Sequence, residues 1–71
     1  VRVDQAKKLK YGQRVSCPPD RGSAGFTGTV RTENLDQAIV NNHPNGGDYI
    51  WVEVMGPTHK SVWPSNRLGF A

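Results

Sequence analysis

The sequence predicts a single all-β domain, a small antiparallel barrel or sandwich, on three observations. Short runs rich in β-branched and aromatic residues recur along the chain: QRVSC, FTGTVRTE, YIWVEVM, HKSVWP and SNRLGF. Gly, Pro and Asn, the residues that end strands and make turns, punctuate them. At 71 residues there is room for one core, thin enough that every large apolar side chain matters.

The first ten residues, VRVDQAKKLK, hold four of the nine basic residues and only a weak apolar pattern in Val1, Val3, Ala6 and Leu9. They read as a flexible basic N-terminal arm, 1–10, ahead of the domain at 11–71. A chain opening on Val1 rather than Met reads as processed or as a piece of something longer. QRVSC is the first strand. Pro18 and Pro19 cannot donate to a ladder, and Gly22 and Gly25 permit turn conformations, so 17–25 is a loop. FTGTV is the second strand, with Gly28 expected as a bulge or tight bend. In NLDQAIVNNHPNGG, either Asn34 caps a helical turn with Gln37 in the capping-box position, or Ala38 to Val40 is strand. In both cases 41–47 is a polar, exposed loop.

Alternation divides the next strand: Ile50, Val52 and Val54 share the core face, and Tyr49, Trp51 and Glu53 share the other. A three-residue loop of Gly56, Pro57 and Thr58 would pair Met55 with His59, hence Val52 with Val62 and Trp51 with Trp63. In that register Tyr49, Trp51 and Trp63 form an outward aromatic stripe, to be covered by a loop or the N-terminal segment, or left exposed as a binding face.

Nine Lys and Arg against six acids give a formal charge of +3, a tilt toward anionic partners such as nucleic acid. Lys7, Lys8, Lys10, Arg14, Arg31, Lys60 and Arg67 are the candidates to flank the stripe and neutralise phosphates. The single Cys17 excludes an intramolecular disulfide and a cysteine-based zinc site, and fits a reducing intracellular compartment such as the cytoplasm. His43 and His59 lack spaced metal-ligating partners. No phosphate loop, nucleophile elbow or paired carboxylates are present, so neither a catalytic residue, a metal site nor a cofactor is expected. No apolar run is long enough to span a bilayer as a helix.

The order GQRVSC, GFTGTVR, YIWVEV, a short turn and SVWPSNRL resembles the SH3-like barrel superfamily over roughly residues 9–70. That resemblance implies a five-stranded SH3-like barrel. Two relatives are similar in part. Cytoskeleton-associated CAP-Gly domains share the Gly-Thr-Val-Arg strand and the terminal Pro-Ser-Asn-Arg-Leu stretch, although their glycine-lysine-asparagine-aspartate-glycine loop has no counterpart here. The plasmid-borne type II dihydrofolate reductases, homotetramers with a central pore, resemble the chain through its Arg14-Val15 strand, FTGTV, YIWVEV and SVWP. Their pore-lining valine-glutamine-isoleucine-tyrosine stretch matches Lys60, Ser61, Val62 and Trp63, with Ser61 for the glutamine and Trp63 for the tyrosine. The resemblance implies that the Ser61/Trp63 face is an oligomer or ligand interface.

The expectation is therefore a non-catalytic binding module. Its ligand-binding residues are Tyr49, Trp51, Ser61, Trp63, Lys60, Arg67 and Arg31, and its ligand is nucleic acid. The alternative is a protein-interaction or self-association module, a homo-oligomer, using the same aromatic face. A reductase-like enzyme is a third reading.

Overall fold

A computed structural model describes residues 1–19, 24–43 and 47–71. Each run of β-branched and aromatic residues contributes a strand: β1 Arg14–Cys17, β2 Phe26–Val30, β3 Trp51–Met55, β4 Lys60–Pro64 and β5 Gly69–Phe70. They form one antiparallel sheet in the order β4-β3-β2-β1-β5, so the all-β expectation holds. Pro64, which has no N–H, closes β4 at the edge of the sheet, where a missing donor is tolerated. The turn assigned to Gly22 and the loop residues 44–46 lie outside the described residues.

Inward residues alternate along the strands. Val15 and Cys17 of β1, Val30 of β2, and Ile50, Val52 and Val54 in and before β3 are buried together with Leu35 and Leu68. Gly28, expected as a bulge, is instead a regular ladder residue opposite Val15. It is glycine because a Cβ there would lie 2.2 Å from Val54 Cγ1. Of its two expected forms the middle section takes the helical turn, as a 3₁₀ turn over Leu35–Gln37 that buries Leu35, but without the expected Asn34 cap. Asn34 precedes it in the left-handed region, φ 58°, and makes no side-chain cap bond.

The N-terminal arm is corrected by the structure. Residues Val3–Ala6 form a helical turn, α1, opened by the Gln5 side-chain oxygen accepting the Arg2 N–H at 3.0 Å. Ala6 and Leu9 are buried in the core, and α1 packs against a 3₁₀ turn at Ser65–Arg67. The weak apolar pattern was enough because a thin core gains from each added side chain.

The β3–β4 register is also corrected. Met55 pairs with Lys60, Glu53 with Val62, Val52 with Trp63, and Trp51 with Pro64. The loop has four residues, 56–59, closed by Gly56 N–H donating to His59 O at 3.0 Å, with Pro57 second in the loop, where its fixed φ suits a tight turn. Trp51 and Trp63 therefore lie on opposite faces of the sheet. Trp63 turns toward the core beside Val52 and meets Phe26 edge-to-face at 6.1 Å, while Val62 is left 54% exposed. Covering the core with an indole rather than an isopropyl group removes more apolar surface from water, which favours this register.

Candidate functional site

The outward face of β2, β3 and β4 is built by the same alternation. Trp51 and Met55 of β3 and Val62 of β4 point out and are exposed. Arg31 follows the inward Val30, and its N–H donates to Glu53 O at 2.8 Å, so it stands opposite Glu53 on this face. Its guanidinium lies 5.2 Å from the Tyr11 ring centroid, a cation-π contact. Arg14, opposite Thr29, and Lys60, opposite Met55, extend the basic character of the face. Lys60 Nζ reaches Glu53 Oε2 at 3.5 Å, an exposed pair of the kind that contributes about 0–1 kcal/mol. The cations Arg14, Arg31, Lys60 and Arg67 thus stand on or beside this face, with Glu53 among them.

At one end of the face lies an open groove of about 450 Å³ lined by His43, Tyr49, Trp51, Pro64, Asn66 and Arg67. Three local features assemble it. Tyr49 and Trp51, two residues apart in an extended stretch, meet at right angles, with centroids 5.2 Å apart and planes at 83°. Asn41 and Tyr49 exchange backbone hydrogen bonds at 2.8 and 2.9 Å, which brings His43 to 6.5 Å from the Tyr49 ring. The buried Ser65 clamps the chain: its Oγ accepts the Ile50 N–H at 3.0 Å and its own N–H donates to Ile50 O at 2.9 Å. That clamp joins the entry of β3 to the exit of β4 and fixes Asn66 and Arg67 beside Trp51.

Of the residues singled out in the sequence, Tyr49, Trp51 and Arg67 meet in this groove, and Arg31 and Lys60 share the sheet face with Trp51. Ser61 and Trp63 do not join them. They line a second groove, of about 430 Å³, with Phe26, Pro57 and His59, and there Trp63 Nε1 donates to Ser61 Oγ at 2.8 Å. The expected stripe of three aromatics is thus a pair, Tyr49 and Trp51, with Trp63 turned away. Arg67 lies between the two grooves, its guanidinium 5.6 Å from the Trp63 ring centroid. Lys7, Lys8 and Lys10 border another concavity together with Glu33 and Asp36, so acids offset their charge locally.

His43, Pro64 and Asn66 were not visible as site residues in the sequence. Pro64 carries a signal in hindsight, since a proline ending an edge strand opposite Trp51 leaves a rigid apolar wall. The Asn41–Tyr49 bridge that brings in His43 is a single backbone pair outside the strands, which no periodicity in the sequence marks.

Cys17 is buried, and burial pushes its thiol up from the ordinary value of 9.0, away from the thiolate a nucleophile needs. Among the described residues no group of three or more His, Cys, Asp or Glu side chains is placed to hold a metal ion. No helix among them is long and apolar enough to cross a membrane. Comparisons with protein-family models, with curated proteins and with solved structures returned no match.

Proposed function

We propose that this chain is an SH3-like barrel acting as a non-catalytic module that binds nucleic acid, in a reducing intracellular compartment suited to its single unpaired Cys17. The binding surface is the outward face of β2–β4 with the groove at its end. The observation that carries this reading is the junction of an exposed aromatic pair, Tyr49–Trp51, with Arg67 in one groove, on a sheet face that also bears Arg14, Arg31 and Lys60. Aromatic faces stack on bases, and basic side chains around them neutralise phosphates. In this reading Trp51 and Tyr49 meet the base, and Arg67, Arg31 and Lys60 meet the backbone. Ser61 and Trp63 support the fold behind the surface. The test is affinity for an oligonucleotide against salt concentration, with Trp51→Ala beside the unmodified protein. Binding that weakens with salt and falls about tenfold with Trp51→Ala supports the reading; affinity indifferent to both removes it.

A second reading has its own observation. Trp51, Met55 and Val62 are all exposed on this face, an apolar surface of the kind that meets another protein or a second copy of the chain. Sedimentation velocity over a range of concentrations separates the two readings. A self-association module gives a concentration-dependent dimer or larger species in the absence of nucleic acid.

A further inference from the structure

We infer that the groove beside Trp51 takes one unpaired nucleobase, so that the ligand of this face is single-stranded nucleic acid and not duplex. This rests on the nucleic-acid reading above and narrows it. Three features of the groove argue for it.

The first is the angle between the rings. Tyr49 and Trp51 stand at 83° to each other. Parallel rings along a strand would offer successive platforms for a run of stacked bases. A perpendicular pair makes a corner, in which one flat ring stacks on one aromatic face while its rim meets the other. The second is size: about 450 Å³ lies within the roughly 300–1,000 Å³ of sites that enclose a small molecule, enough for one base with its sugar. The third is the lining. His43 and Asn66 add polar side chains to its wall, and Pro64 closes an apolar side opposite Trp51.

The charges fit the same ligand. Arg67 is in the groove wall, within reach of the phosphate on the sugar of an inserted nucleotide, while Arg31 and Lys60 stand farther along the sheet face, where the strand would continue. A duplex keeps its bases stacked on one another and presents phosphates and base edges, so it reaches the cations but leaves the aromatic corner unfilled. A single strand uses both.

Fluorescence anisotropy of labelled oligonucleotides with the unmodified protein tests this, and two variants add a second readout. The probes are a single strand of about 12 nucleotides, within the usual footprint of such proteins, and the duplex of the same sequence, at one low salt concentration. The expected result is single-strand affinity tighter by about tenfold or more, and a loss of about tenfold in Trp51→Ala, in keeping with the worth of one base–aromatic stack. Trp63→Phe leaves Trp51 as the only indole, and its emission is expected to be quenched by the single strand. A duplex bound as tightly as the single strand, with normal salt dependence, overturns the single-strand inference while sparing the nucleic-acid reading. Absence of binding by both probes overturns the two together.

Discussion

Replacing Ser65 by alanine tests how the groove is held. Ser65 is fully buried, and its Oγ is the acceptor of the Ile50 N–H at 3.0 Å, just where the chain enters β3. Alanine keeps the backbone bond from Ser65 N–H to Ile50 O, so the 3₁₀ turn has no reason to unwind. What is lost is the acceptor of a buried donor, the Ile50 N–H, at a cost of about 1–3 kcal/mol. In a domain of this size each kcal/mol lowers the melting temperature by about 4–8 °C, which gives a fall of between about 4 and 24 °C. Thermal melts followed by circular dichroism read it directly. Ser61→Ala is the matched control, because Ser61 Oγ accepts from the part-buried Trp63 Nε1, which water can reach in its place. Its expected cost is about 1 kcal/mol or less. A Ser65→Ala melt within about 1 °C of the unmodified protein would refute the clamp, since Ile50 N–H would then have found another acceptor.

Further consequences are equally concrete. Gly28→Ala sets a methyl group against Val54 Cγ1 and Met55 O, at 2.2 and 3.1 Å before relaxation, and should destabilise by about 1–3 kcal/mol or more in a urea titration. Leu9→Ala, in the segment that reads from sequence as an arm, should cost about 2–5 kcal/mol because Leu9 is a core residue; Lys8→Ala beside it should be nearly neutral in the same titration. Burial raises the Cys17 thiol above 9.0, so the stability it contributes is present below that pH and lost as pH climbs through 9.0 toward the higher folded value. The urea midpoint should therefore fall more between pH 8 and 10 in the unmodified protein than in Cys17→Ala, where pH values are about one unit either side of the ordinary thiol range.

What the sequence disclosed depended on whether a local rule was enough. Alternation in YIWVEV sufficed to send Ile50, Val52 and Val54 inward and Trp51 outward, because a strand has only two faces. The β3–β4 register was not local. A three-residue loop matched Val52 to Val62 and a four-residue loop matches Val52 to Trp63, and both keep an apolar pair on the core face. What decides between them is Phe26, over thirty residues away in sequence, whose ring meets Trp63 and passes over Gly56. Gly28 misled for a related reason: its missing side chain accommodates Val54 on the neighbouring strand, a tertiary contact that looks like a bulge signal in one dimension. Ala6 and Leu9 were legible as apolar but not as core, since nothing near them in sequence names Ser65–Arg67 as their neighbour. The groove needs Tyr49 and Trp51 beside Arg67, which the β3–β4 pairing and the Ile50–Ser65 clamp bring together from distant parts of the sequence.

The slope of affinity against salt, measured for an oligonucleotide with the unmodified protein and with Trp51→Ala, tests the central claim most directly. With about three phosphates met by Arg31, Lys60 and Arg67, a single strand should give a log–log slope near −2. Trp51→Ala should lower affinity by about tenfold at every salt concentration while leaving that slope unchanged, because stacking is not ionic. A flat salt profile, or a Trp51→Ala protein that binds as tightly as the unmodified one, would contradict the account.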